Sequence, residues 1–275
     1  MRLLSFLLLT LLLVSCATSP RDDTVCPQQQ RAESSLNFVF VFHNLQDHSS
    51  EEYEHEMTAF LGTVAPFNKA SYNVYTIELP TTLCWPRQDK TVVKSQLECD
   101  WTLLNKKIEA CALHNAKVII LTGEDVQTVT VPTRYQTSFS VINERAFNRY
   151  AFLHEVGHLF GLQEEATTLR VYKSSPAYAP WRPNCATNST EARDWWGGMI
   201  GQQDTGYYNG CAGHLDYLRP NNATLMGDKA TNESGYGTVS TAYLQAAYDC
   251  CYAKNRTTYD CDNFFSTYPD LKQCR

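Results

Sequence analysis

The sequence predicts an α/β (α+β) fold, in which a mixed, twisted sheet with packed helices is followed by an irregular, disulfide-linked region that ends in a helix. Three observations support this prediction. Apolar, β-prone runs alternate with helical segments in a βαβαβ order up to residue 121, and this order builds a sheet with helices packed on it. Cysteines are spread through the later, less regular sequence. An apolar stripe over Val239–Tyr252 predicts a last helix.

The sheet and its helices are predicted from short local patterns. The predicted strands are apolar or alternating runs, namely Phe38–Phe42, Ser71–Leu79 and Lys117–Leu121. The predicted helices start at capping residues, namely Ser49 with Glu52 before a helix that runs to about Val64, and Asp100 before Trp101–His114. Pro80–Glu98, which contains Cys84 and is followed directly by Cys99, is predicted as a loop.

The next segments predict an exposed sheet edge beside a long helix. Gln127–Ser140 is rich in Thr and Val and contains Pro132, so we expect one or two edge strands broken at the proline. An edge strand has free backbone groups that can pair with an extended peptide. Glu144–Phe160 is predicted as a single helix.

That helix carries a candidate metal motif. His154 and His158 are four residues apart, so on a helix they lie on the same face and both imidazoles can reach one metal ion. Zn²⁺ accepts nitrogen ligands in an open tetrahedral site. Glu155 is rotated by about 100° from His154, so it can act beside the metal as a general base for metal-activated water. A buried helix with two satisfied histidines is the non-functional alternative.

Residues just after the helix supply a candidate third ligand. Gly161 can adopt the left-handed conformation that ends a helix, and the chain can then return and bring Glu164 to the metal. Glu165 is the competing third ligand. His214 is a candidate fourth contact, although a surface position suits it better.

The N-terminus predicts export. Arg2 and the apolar run Leu3–Val14 indicate a signal segment over residues 1–16. Its last four residues resemble the lipobox of bacterial lipoproteins, which implies a lipid on Cys16; ordinary cleavage after Ala17 is the alternative. Residues 17–36 are polar and predict a flexible tether, and residues 37–275 are the expected folded domain. We expect a protein that is lipid-anchored at the cell surface or in the periplasm, or secreted.

Net charge, hydropathy and cysteine content indicate which kinds of partner and covalent modification to expect. The net charge of −6 argues against nucleic acid, and no later segment is apolar enough to span a bilayer, so a lipid anchor would be the only membrane contact. Ten of the eleven cysteines remain if Cys16 is lipidated, and an even set in an exported chain predicts up to five disulfides. We expect a monomer. Sequons, which accept glycans in only some secretory routes, start at Asn188, Asn222, Asn232 and Asn255.

Several motifs follow the predicted metal helix in a particular order. Gly206-Tyr207-Tyr208 precedes Tyr217-Leu218-Arg219-Pro220, and Asn222–Gly227 comes next with Met226 inside it. Together with the His-Glu-x-Gly-His motif, this order resembles the metzincin metallopeptidases, and among them the IgA-peptidase-like branch, over about residues 37–255. The resemblance implies a metzincin-like fold with an upper subdomain over residues 37–161 and a lower subdomain over 162–275. It also implies a Met-turn that places Met226 beneath the metal.

The sequence departs from that family in a few places. The third ligand is usually His or Asp where Glu164 stands here, the spacing from the helix to the acidic residue is one residue shorter, and Leu218 interrupts a Tyr-Arg-Pro motif. A His₂Glu set is nevertheless a workable catalytic zinc site. Tyr207, Tyr208 and Tyr217 are candidate donors of a hydrogen bond to an oxyanion, with packing as the alternative role for each.

These features predict a zinc-dependent endopeptidase that hydrolyses peptide bonds with metal-activated water and Glu155 as general base. Zn²⁺ is the expected cofactor, and a polypeptide is the expected substrate. Two alternatives stay open. One is a non-catalytic exported module that binds zinc, and the other is a zinc amidase that acts on a non-protein substrate such as cell-wall peptide.

Overall fold

A computed structural model describes the chain over residues 36–88, 95–111, 116–131, 138–166, 183–202, 204–227, 230–231, 233–253 and 260–268. The predicted signal segment with Cys16, residues 17–35 of the predicted tether, and the sequons at Asn232 and Asn255 lie outside these residues. Leu36, the last residue of the predicted tether, is fully buried. Its side chain belongs to the same apolar core as Phe38 and Phe40.

The helices and strands follow the chain in two groups. The first group contains β1 (Asn37–His43), α1 (Ser50–Leu61), β2 (Asn73–Leu79), β3 (Cys84–Arg87), β4 (Gln96–Cys99), α2 (Trp101–Ala110), β5 (Lys117–Thr122), β6 (Val129–Val131), β7 (Ser138–Asn143) and α3 (Arg149–Leu159). The second group contains α4 (Ser189–Trp196), β8 (Tyr208–Cys211), β9 (His214–Arg219), α5 (Gly237–Cys251) and α6 (Cys261–Thr267). Short 3-10 helices cover Glu144–Ala146 and Gly197–Met199.

The central sheet has the strand order β2-β1-β5-β7-β6. Neighbouring strands are parallel from β2 to β7, and β6 pairs antiparallel with β7. The sheet is therefore mixed, as predicted. The connection from β1 to β2 contains α1, and the connection from β2 to β5 contains α2. The prediction that Gln127–Ser140 forms edge strands is correct for β6 only, because β7 lies between β5 and β6.

Both faces of the sheet are covered, because β1 is apolar on both sides. Phe38, Phe40 and Phe42 belong to a core shared with α1, α3 and α5. Val39 and Val41 point to the opposite face, as alternate residues of a strand do, and pack with α2 and the β3–β4 hairpin. The helix α3 thus shares one apolar core with the sheet and with α5.

Most predicted elements are confirmed, including both capped helices. Ser49 and Glu52 form a capping box at α1, and the Asp100 carboxylate accepts from the backbone N–H of Leu103 at α2. The predicted last helix corresponds to α5, but a further helix, α6, follows it. The helix α6 was not predicted, because its seven residues are too few for a clear apolar stripe.

Two predictions were wrong in detail. Pro80–Glu98 is not simply a loop, because β3 and β4 form an antiparallel hairpin closed by the Cys84–Cys99 disulfide. Glu144–Phe160 is not one helix, because a 3-10 helix ends at Ala146 and α3 starts anew at Arg149. The side chain of Asn148 accepts a hydrogen bond from the backbone N–H of Ala151 at 3.0 Å, and such an N-cap starts a helix rather than continuing one.

Disulfides join the second group of elements together. Cys185 pairs with Cys211, and Cys250 pairs with Cys261. Cys111 and Cys251 are also disulfide-bonded. Disulfides persist in oxidising compartments, so these bonds indicate an extracellular or periplasmic protein. Among the described residues, no helix is long and apolar enough to cross a membrane.

A buried carboxylate fixes the loop after β1. Glu144 accepts hydrogen bonds from the backbone N–H groups of Gln46 at 2.9 Å and Asp47 at 3.0 Å, and from the Tyr53 hydroxyl at 2.9 Å. Burial alone would raise the pKa of Glu144, but these hydrogen bonds outweigh it and lower the pKa. The ionised carboxylate is therefore the form that the fold stabilises.

Replacing Glu144 with Gln should lower the free energy of unfolding by about 1–3 kcal/mol at pH 7, because buried donors lose a charged acceptor. The folded-state pKa of Glu144 lies below its unfolded value, so this stabilisation is present above the unfolded pKa and is lost as the pH falls through the folded pKa. Lowering the pH below about 5 should therefore reduce the free energy of unfolding of the wild type more than that of Glu144→Gln. Urea unfolding at several pH values measures the difference.

The matched control is Glu98→Gln, which removes a surface pair with Arg87. That change should cost less than about 1 kcal/mol. Identical pH dependence in the wild type and in Glu144→Gln would contradict the assignment of Glu144.

Candidate metal centre

The motif helix α3 ends in a defined turn just after His158. Gly161 has a φ angle of 90°, which is the left-handed conformation expected from the sequence. The N–H groups of Gly161 and Leu162 donate to the carbonyls of His158 at 2.9 Å and Gly157 at 3.1 Å. This pair of bonds is a Schellman motif. It turns the chain back toward the histidines immediately after the helix.

Three side chains converge after this reversal. His154 Nε2 lies 3.1 Å from His158 Nε2, and Glu164 Oε1 lies 3.0 Å from the first nitrogen and 3.2 Å from the second. Among the described residues, these are the only side chains that form such a potential metal-binding group. Three ligands in a tetrahedral zinc site, with bonds of about 2.0–2.1 Å, stand about 3.3 Å apart. The observed triangle is close to that size.

Backbone carbonyls orient both imidazoles. His154 Nδ1 is 2.7 Å from the Leu225 carbonyl oxygen, and His158 Nδ1 is 2.8 Å from the Leu162 carbonyl oxygen. A carbonyl oxygen can only accept, so each Nδ1 carries the proton and donates it. With a metal ion bound, each ring would be neutral and would point the lone pair of Nε2 toward the shared point. Metal-binding histidines are commonly fixed in this way.

The electrostatics of the triangle favour a cation. Burial opposes the charged form of His154, yet the hydrogen bond and negative charge of Glu164 outweigh burial and raise the pKa of His154 to about 9. Burial would likewise raise the pKa of Glu164, but the two imidazoles that face it hold that pKa well below its usual range. A metal ion that binds here would have to compete with protonation of the same groups.

The two acidic candidates for third ligand point in different directions. Glu164 is partly exposed and faces the imidazoles, whereas Glu165 is 2% exposed. The carboxylate of Glu165 accepts hydrogen bonds from Asn184 Nδ2 at 3.0 Å and from Thr224 Oγ1 at 2.7 Å. The structure therefore brings Glu164, and not Glu165, to the two histidines.

Met226 lies in a tight turn directly beneath the motif helix. The Gly227 N–H donates to the Thr224 carbonyl at 3.1 Å and closes the turn. A Cβ added at Gly157 would lie 2.5 Å from Met226 Sδ and 3.0 Å from Tyr236 Cε1. The glycine of the motif thus lets the Met226 side chain pack directly against the backbone of α3.

The three candidate tyrosines lie in the β8–β9 hairpin or directly before it. Tyr207 is 45% exposed and its ring lies 6.5 Å from that of Trp196. Tyr208 donates through its hydroxyl to the Asp204 carbonyl at 3.2 Å. Tyr217 stacks on the exposed ring of His214 with 4.2 Å between ring centroids. In the part of the chain that the structure describes, none of these contacts involves the His154–His158–Glu164 triangle.

Glu155 contacts a residue that the sequence reasoning missed. Its side chain is 5% exposed, and its Oε2 accepts a hydrogen bond from Thr130 Oγ1 at 2.5 Å. Thr130 belongs to the edge strand β6 and pairs with Ser140 of β7, with 2.7 Å between the two hydroxyl oxygens. The sequence shows a hydroxyl residue in each of these two strands. It does not show that the strands pair so that both hydroxyls face the motif helix, because strand register depends on the whole fold.

The chain was also compared with known proteins. No protein-family model and no curated protein matches it.

Replacing Gly157 with Ala should reduce the free energy of unfolding by about 1–3 kcal/mol, because the new methyl group overlaps Met226 and Tyr236 in a packed core. Thermal unfolding measures the effect. Gly198→Ala is the matched control, since a Cβ there meets nothing within 4 Å. Equal stability of the two variants would show that the turn yields freely beneath α3.

Proposed function

We propose that this protein is a zinc-dependent endopeptidase. The observation that carries the proposal is the triangle formed by His154 Nε2, His158 Nε2 and Glu164 Oε1, whose members lie 3.0–3.2 Å apart. Two neutral imidazoles and one carboxylate are a donor set of catalytic zinc sites. The motif order that resembles the IgA-peptidase-like metzincins supports the same activity, but it does not identify a substrate.

The chain's own residues divide the chemistry between them. Bound Zn²⁺ would supply a Lewis acid that polarises the peptide carbonyl and acidifies a water molecule. His154, His158 and Glu164 hold the ion. Glu155 accepts the proton of the attacking water at its carboxylate and returns it to the nitrogen of the leaving amine. One side chain thus acts first as base and then as acid.

The edge strand β6 is the proposed place for a peptide substrate. Its partner β7 pairs with it on one side, and α3 packs against it. An extended peptide added to the other side of β6 would run past Glu155. We also propose that the exported chain is a monomer held at the membrane only by a lipid on Cys16.

The purified wild type should contain one zinc ion per chain. Glu164→Ala should lose about 10-fold or more of its zinc affinity, because two ligands remain of three. Atomic absorption after dialysis against a chelator series measures the loss. Glu165→Gln is the matched control at the next residue, and it should retain zinc because its side chain points to Asn184 and Thr224. Loss of zinc in the control alone would reverse the ligand assignment.

Replacing Glu155 with Gln should leave the zinc content unchanged and lower the rate of casein cleavage by about 100-fold or more, because the amide cannot accept the proton. Fluorescein-labelled casein provides the assay, and 1,10-phenanthroline should abolish the wild-type signal. Wild-type protein that holds zinc but cuts neither casein nor a peptide library would favour a zinc-binding module. Release of fragments from purified cell-wall peptide would favour an amidase.

A further inference from the structure

We infer that Thr130 is a positioning residue that holds the Glu155 carboxylate in its working orientation, with Ser140 behind it. The inference rests on the proposed function, because it assigns a role to the hydroxyl that contacts the proposed general base. The three groups form a chain, with 2.7 Å between Ser140 Oγ and Thr130 Oγ1 and 2.5 Å between Thr130 Oγ1 and Glu155 Oε2.

The direction of the hydrogen bonds follows from the carboxylate. An ionised carboxylate can only accept, so the single hydroxyl hydrogen of Thr130 points to Glu155 Oε2. Thr130 Oγ1 then accepts from Ser140 Oγ at 2.7 Å. This contact is shorter than the 3.4 Å between Ser140 Oγ and the backbone carbonyl oxygen of Glu155, which is the other acceptor for the single Ser140 hydrogen. Successive donors polarise one another, so Ser140 strengthens the contact that Thr130 makes with Glu155.

The sheet brings these hydroxyls to the helix by register. Thr130 and Ser140 are cross-strand partners, so their side chains lie on the same face of the sheet. Ile142, two residues after Ser140, belongs to the apolar core that includes Phe152 of α3. The polar pair therefore interrupts an apolar face at the place where the side chain of Glu155 meets the sheet.

This placement has a physical consequence for the base. A buried carboxylate without a donor is costly, and a carboxylate with several rotamers available loses rate through poor orientation. Thr130 satisfies Oε2 and fixes the plane of the carboxylate, so Oε1 is the oxygen left to exchange protons with water. Because Thr130 lies on the edge strand itself, the base is fixed to the same strand that the proposed substrate would pair with.

The test compares Thr130→Val, Thr130→Ser and the wild type, all as zinc-loaded full chains, on a quenched fluorescent peptide selected from those that the wild type cleaves. Thr130→Val should lower kcat by about 10-fold to 100-fold, with KM and zinc content unchanged. Thr130→Ser keeps the hydroxyl and should restore most of kcat. A changed KM or a loss of zinc in Thr130→Val, or failure of Thr130→Ser to restore kcat, would overturn the inference.

The matched control is Thr76→Val. Thr76 lies in β2, the opposite edge of the sheet, and donates to Glu54 Oε2 of α1 at the same distance of 2.5 Å. This control removes an equivalent strand-to-helix hydrogen bond far from the motif, and kcat should remain at the wild-type level. An equal fall of kcat in both variants would reveal a general structural effect and overturn the inference.

A second readout is independent of activity. Thr130→Val should lower the melting temperature of the wild type more than it lowers that of Glu155→Ala, because the two residues are coupled. Thr76→Val should lower the melting temperatures of the wild type and of Glu155→Ala by the same amount. Additive shifts for Thr130 and Glu155 would overturn the inference even in an active enzyme. A wild type that cleaves no peptide would instead overturn the proposed function and remove the role assigned to Thr130.

Discussion

The reversal of the chain at Gly161 is the constraint on which the His154–His158–Glu164 triangle depends. One helix face can present two imidazoles, but the third donor must come from the chain that leaves the helix. Glu164 reaches the histidines because the Schellman turn is followed by two backbone anchors. The Ala212 N–H donates to the Glu164 carbonyl at 2.8 Å, and the Glu165 N–H donates to the Met226 carbonyl at 2.6 Å. The donor set is thereby preorganised by backbone bonds rather than by the ligands themselves.

The same backbone also orients the imidazoles, so helix, exit turn and Met226 turn depend on one another. His158 Nδ1 donates to the carbonyl of Leu162 in the exit segment, and His154 Nδ1 donates to that of Leu225 in the turn. Arg219 ties the exit segment to the β8–β9 hairpin by donating to the carbonyls of Glu165 at 2.9 Å and Gly210 at 2.8 Å. A displacement of the second group of elements would therefore shift the carbonyl oxygens that orient the two imidazoles.

Several features of the fold that depend on residues close together in the sequence were predicted correctly. Helix spacing placed His154 and His158 on one face, and the glycine at position 161 ended α3 as expected. The break at Ala146 could not be predicted from periodicity, because the Glu144 carboxylate is committed to backbone groups almost a hundred residues earlier in the chain. The contact between Thr130 and Glu155 was missed for the same reason. It requires the antiparallel register of β6 and β7, which short-range patterns do not encode.

Two adjacent glutamates show why sequence alone left the candidate third ligand open. Glu164 and Glu165 have the same chemistry, yet successive residues of an extended segment point to opposite sides. Hydrogen bonds from two imidazoles overcome burial at Glu164 and lower its pKa. At Glu165 burial dominates, despite donors on Asn184 and Thr224 and the nearby positive charge of Arg219, and raises the pKa to about 7. The side of the chain, and not the residue type, therefore decides which carboxylate remains an anion able to hold a cation and which serves as a buried crosslink.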